Sequence, residues 1–179
     1  VQRVMKSLIQ GGKNSRRIVW LFAVVLLQCL FQSEGFSKSR VGFVALCKAP
    51  PDSMRPAFKA IKERFKGHSC REIYRKYRRI TSLKLSGKNI SNLTPVTFFP
   101  YLRVLDLSRN NISRLEKLSS LRNLAALNLS QNRIADVRPL SEMRNLRKLY
   151  VSDNRISSLD GLKNLDQLVI LDLSRNKIK

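Results

Sequence analysis

Apolar residues return every 22 positions through the second half of this chain, and no insertion breaks the count. Leu83, Leu105, Leu127, Leu149 and Leu171 form one column, and Leu85, Leu107, Leu129, Val151 and Leu173 form the next. Ile90, Ile112, Ile134, Ile156 and Ile178 make a third, and further columns pass through Leu93, Val96, Phe99 and Leu102. A fixed period of this length specifies a solenoid, in which each repeat is one coil stacked on its neighbour.

Within a coil, stretches such as VLDLS at 104–108 and ILDLS at 170–174 alternate, which turns two leucines inward and the residues between them outward. Each therefore predicts one short parallel strand. Three residues after the second leucine comes an asparagine column, Asn110, Asn132, Asn154 and Asn176, placed where the chain must bend. A buried amide there can satisfy backbone groups that the bend leaves unpaired, so these residues are expected to form a structural ladder from coil to coil. The first repeat has Lys88 at this position, so either the ladder starts at Asn110 or the neighbouring Asn89 substitutes. One coil buries too few side chains to offset the ordering of its backbone, so neighbours must share a core and both ends need caps.

The segment LRVLDLSRNNISRLEKLSSLRNL resembles the 22-residue class of leucine-rich repeat found in bacterial internalins and in eukaryotic phosphatase-regulator proteins. Pro139-Leu140, echoed by Pro95-Val96, is similar to the internalin type, while Gly161-Leu162 suits the other. The resemblance covers residues 80–179. It implies an α/β fold, a right-handed leucine-rich-repeat solenoid with short parallel strands on a concave face, and a small helical cap at its N-terminal end.

Residues 1–17 carry five cations and no acid, and are followed by an apolar run from Ile18 to Phe31. Fourteen helical residues rise about 21 Å, short of the roughly 30 Å of a hydrocarbon core, which suits a signal peptide better than a membrane span. Ser33 and Gly35 place small residues where a signal peptidase reads, so residues 1–35 are expected to be removed and the mature terminus to lie near Phe36. The expected location is secreted, periplasmic or cell-surface, with no transmembrane span in the mature chain. A retained anchor, or a cytoplasmic protein, is the alternative. Beyond the leader only Cys47 and Cys70 remain, and an exported chain would pair them, whereas a cytoplasmic one would keep two buried thiols.

Residues 36–79 are expected to form the cap. Phe58, Ile61 and Phe65 share one helical face that ends at Gly67, and Ser69 with Glu72 has capping-box spacing at the start of a second helix bearing Ile73 and Tyr77. This segment holds 13 cations against three acids, with RKYRR at 75–79 its sharpest cluster. The whole chain has 35 Lys and Arg against 12 Asp and Glu, a net charge of +23. Such a cap can contact an anionic surface, but no nucleic-acid-reading motif accompanies it. At Lys179 the fifth repeat stops without its return half, so the chain is expected either to be truncated there or to have its open edge covered by a partner or a second copy.

One histidine and three cysteines leave little material for a metal centre or a histidine-based catalytic site, and no cofactor is called for. The resemblance places ligands on the concave face. Its central column is Lys84, Asp106, Asn128, Tyr150 and Asp172, with Lys148 beside Tyr150 and a flanking column of Arg109, Gln131, Asp153 and Arg175. Tyr150, the aromatic of these columns, suits a protein partner. The predicted function is an exported, non-enzymatic protein-binding module. The alternatives are an intracellular scaffold of the phosphatase-regulator type and a charge-driven binder of an anionic surface or nucleic acid.

Overall fold

The computed structural model describes residues 40–178. The leader, its apolar run and the expected cleavage point near Phe36 lie outside the described residues. Five three-residue strands, β1 (Ser82–Lys84), β2 (Val104–Asp106), β3 (Ala126–Asn128), β4 (Lys148–Tyr150) and β5 (Ile170–Asp172), form one parallel sheet in chain order. Every pair is offset by one repeat, so Leu83 faces Leu105, Leu105 faces Leu127, Leu127 faces Leu149 and Leu149 faces Leu171. This is the solenoid that the period implies, with the α/β leucine-rich-repeat architecture that the resemblance implies.

A 22-residue coil has little chain left for its return path, and it uses short 3-10 turns at Thr94–Phe98, Glu116–Ser120, Arg138–Leu140 and Asp160–Leu162. Ile90, Ile112, Ile134 and Ile156 are fully buried between strand and return turn. In the fifth coil Leu171 and Ile178 are 41% and 39% exposed, because no described coil packs beyond them.

The asparagines join adjacent coils. Asn154 Nδ2 donates to the carbonyls of Val151 and Ser152 in its own coil and of Leu129 in the preceding one, while its Oδ1 accepts from Ile134 N–H. Asn132 and Asn176 repeat the pattern. Asn110 serves the first coil in the same way, bonding Leu85 O and accepting from both Lys88 and Ile90 N–H. The first coil needs no asparagine of its own because each one reaches back to the coil before it. Lys88 is thereby freed, and its Nζ lies 3.0 Å from Glu63 of the cap. Asn89 does not substitute; it takes a left-handed backbone with φ 56°.

Three α-helices precede β1, where two were expected from the sequence: α1 (Arg40–Lys48), α2 (Arg55–Arg64), entered through a 3-10 turn at Asp52–Met54, and α3 (Cys70–Glu72), which continues into a π-helical turn at Ile73–Tyr77. The additional one is α1, which buries Gly42, Phe43, Leu46 and Cys47. Phe43 sits at the centre of the cap, with ring centroids 5.7 Å from Phe58, 5.0 Å from Phe98 and 6.1 Å from Phe99. The first return turn supplies Phe98 and Phe99, so aromatic packing seals the cap onto the solenoid. Cys47 and Cys70 form a disulfide, with Cα atoms 5.8 Å apart, that links α1 to the start of α3. At that start Ser69 N–H donates to Glu72 Oε2 at 2.7 Å and Glu72 N–H donates back to Ser69 Oγ at 3.3 Å, a closed capping box. Among the described residues no helix is long and apolar enough to cross a membrane.

Candidate functional site

Strand pleating sends alternate residues to the same face, and the one-repeat register lines them up from coil to coil. Lys84, Asp106, Asn128, Tyr150 and Asp172 therefore stand side by side across the sheet. Lys148 lies two residues before Tyr150 on β4 and shares its face. Arg109, Gln131, Asp153 and Arg175 are set apart from this surface. They follow the strand ends in left-handed backbone, with φ between 53° and 57°, at the position that Gly87 fills in the first coil. The N–H groups of Arg109, Gln131 and Asp153 still bond the next coil, as in Arg109 N–H to Ser130 O at 2.9 Å and Asp153 N–H to Ser174 O at 3.0 Å. This column forms a rim, and there Arg175 Nε meets Asp153 Oδ1 at 2.6 Å.

Three members of the central column serve the backbone. Asp106 Oδ1 accepts from the N–H and hydroxyl of Ser108, Asp172 Oδ1 accepts likewise from Ser174, and Asn128 Oδ1 accepts from Ser130 N–H. These Asx turns close the strand ends. The Ser174 hydroxyl first, then its N–H and the Ser152 hydroxyl, hold the Asp172 carboxyl below its ordinary value. The serines also bond along the sheet, Ser86 Oγ to Ser108 Oγ at 2.9 Å and Ser152 Oγ to Ser130 Oγ at 3.0 Å. The chain's sole histidine, His68, lies in the cap with its Nε2 3.1 Å from Tyr77 Oη. None of the sheet serines has a histidine beside it, and the carboxylates that Ser108 and Ser174 meet are held within their own Asx turns. Among the described residues no His, Cys, Asp and Glu side chains cluster in a way that could hold a metal ion.

Lys84 and Tyr150 are left, with Lys148 beside Tyr150, as outward side chains without a hydrogen bond or ion pair among the described residues. The sheet face also carries a column that sequence reasoning sampled only through Lys148: Ser82, Val104, Ala126, Lys148 and Ile170. Val104 is 41% exposed. The same outward alternation that selected Tyr150 marks Val104 and Ala126, but apolar residues inside a repeat full of core leucines are easily read as more core. Val104, Ala126 and Tyr150 give the sheet a small apolar centre, with Lys84 and Lys148 beside it.

This combination of in-register parallel strands, 3-10 return turns and an asparagine ladder defines a leucine-rich-repeat solenoid. Family models described as leucine rich repeat and as leucine rich repeats in two copies match residues 78–134 and 144–179. The chain belongs to the leucine-rich-repeat proteins. Within that class it resembles the internalins: internalin C2 of Listeria monocytogenes is 32% identical with a TM-score of 0.57, the match covering 60% of this chain and 47% of that one. A second internalin of the same species is 26% identical with a TM-score of 0.61, covering 70% and 36%. A leucine-rich-repeat protein of Leptospira interrogans is 30% identical with a TM-score of 0.52, covering 55% and 26%. The chain spans less than half the length of each of these proteins. No curated protein sequence matches it.

Proposed function

We propose that this chain is an exported module without catalytic activity that binds a protein partner through its sheet face. In this reading residues 1–35 are a signal peptide, 36–79 a basic cap and 80–179 the repeats. The apolar centre of Val104, Ala126 and Tyr150 within a charged border carries the argument. Protein interfaces concentrate aromatic and aliphatic anchors at the middle of a polar rim, and a rigid sheet holds such anchors at little entropic cost. The Cys47–Cys70 disulfide supports export, since thiols stay reduced in most cytoplasms. That bond also weighs against the intracellular scaffold.

Two measurements test the reading. Intact mass of the protein from its native host, before and after reduction and alkylation, is expected to start near Phe36 and to gain two alkyl groups only after reduction. A full-length mass with both thiols free overturns export. A photoreactive amino acid placed at Tyr150, and separately at Lys117 on a return turn, is expected to capture a protein adduct from position 150 alone. Equal capture from both positions, or capture from Lys117 only, overturns the assignment of the face.

A further inference from the structure

The positive charge of the repeats is distributed unevenly. On the sheet face Lys84 and Lys148 are balanced by Asp106 and Asp172, and on the return turns Arg138 and Lys163 pair with Asp136 and Asp160. One edge carries exposed Arg133, Arg155 and Lys177 in register, and the other, where the chain rises from each return turn into the next strand, carries a longer run. Four successive coils carry exposed arginine there: Arg79, Arg103, Arg122, and then Arg144 with Arg147. Every cation in the columns of this longer run is arginine, and their one carboxylate, Asp166, lies in the fifth coil. None of these five side chains forms an ion pair with a described carboxylate, and Asp166 lines a shallow hollow with Arg144 and Arg147. The track starts from the RKYRR cluster at 75–79, which has no role on the sheet face.

The backbone under this track is held firmly. Asn145 Nδ2 donates to Arg122 O at 2.9 Å and Asn123 Nδ2 to Pro100 O at 3.0 Å, a second asparagine ladder on this edge. Arg103 O accepts from both Ala125 and Ala126 N–H, and Arg147 O from both Val169 and Ile170 N–H. Guanidinium groups are thus mounted on a fixed frame that advances about 4.8 Å per coil. Arg122 and Arg144 hold the same repeat position one coil apart, where like charges repel, and an anionic chain laid along the edge would relieve the repulsion.

We infer that this edge is a binding track for a sulfated polysaccharide. Arginine presents a planar fork that takes two oxygens of one sulfate, which lysine cannot do. An open edge four coils long fits a linear polymer lying along it. Single-stranded nucleic acid fits less well, because it needs a series of aromatic platforms and the edge offers one, Tyr101, which is 50% exposed. The track is separate from the sheet face, so this inference stands or falls independently of the protein-binding role.

The test uses the full chain and a size-defined heparin fragment as probe, with single-stranded DNA of equal charge as comparison. Replacing Arg122, Arg144 and Arg147 with serine is expected to weaken heparin binding at least tenfold. Replacing Lys59, Lys62 and Lys66 of the cap with serine removes the same charge and is expected to change it less than threefold. Lysine at the three arginine positions is expected to recover only a minor part of the affinity. Equal losses in the two serine variants, full recovery by lysine, or tighter binding of DNA than of heparin overturns the proposal. Circular dichroism and thermal melting confirm that each variant is folded.

Discussion

At the scale of single residues, the asparagine and the left-handed position carry different physical burdens. Asn154 satisfies four backbone groups in two coils, so Asn154→Ala strands buried donors and acceptors and is expected to cost on the order of 3 kcal/mol in urea unfolding. Asn176 makes matching bonds in a half-exposed coil where water can replace them, so Asn176→Ala is expected to cost clearly less. Equal losses at the two positions would show that burial is not what gives the ladder its strength. At Gly87, φ is 65° and an added Cβ meets nothing within 4 Å. Gly87→Ala is therefore expected to cost about 1 kcal/mol through backbone conformation alone. The asparagine column was legible because it recurs at one spacing. The left-handed column was not, since glycine, arginine, glutamine and aspartate share no chemistry that would announce a common φ.

Among the elements, α1 and the return turns decide how coils and cap fit together. Phe43 touches rings from α2 and from the first return turn, so Phe43→Ala opens a cavity at the junction. The expected loss is about 3–5 kcal/mol, with protease cleavage appearing first between cap and first coil. Cleavage appearing first in the fifth coil would contradict this. Gly161 packs against the preceding return turn so closely that a Cβ would collide with the Val137 carbonyl and the Arg138 Cα. Gly161→Ala must displace backbone and is expected to cost about 1–3 kcal/mol, whereas Ser119→Ala on another return turn, where the side chain bonds only Glu116 O in its own turn, is expected to cost less. Helix α1 escaped the sequence reading although Phe43, Leu46 and Cys47 have helical spacing. Its partners Phe98 and Phe99 lie more than fifty residues away, and no acidic residue in its first turn marks its start.

For the molecule as a whole, charge sets the response to acid. Glu63 beside Lys88, Glu72 in its capping box, Asp136 beside Arg138, Asp160 beside Lys163 and Asp172 beside Ser174 all have carboxyls held below their ordinary values of 4.5 for Glu and 3.8 for Asp. A depressed folded value means that the stabilisation is complete above the unfolded value and disappears as pH falls through the folded one. The melting midpoint is therefore expected to hold from pH 7 to about 5 and to decline below the ordinary carboxylate values. Protonation also leaves the excess cations less opposed, which acts in the same direction. A midpoint that rises on acidification would show that these contacts do not stabilise the fold.

The 22-residue period by itself determined the solenoid, the register of its sheet, the core columns and the outward central column. An unbroken repeat forces each coil to meet its copy, so local alternation becomes a statement about the whole sheet. Only the tertiary structure decided which outward residues are spent on Asx turns and serine pairs, that Lys88 reaches Glu63, that Phe43 seals the cap, and that arginines from four coils share one edge. Those outcomes depend on contacts between segments that differ in sequence or lie far apart, where no period relates one partner to the other.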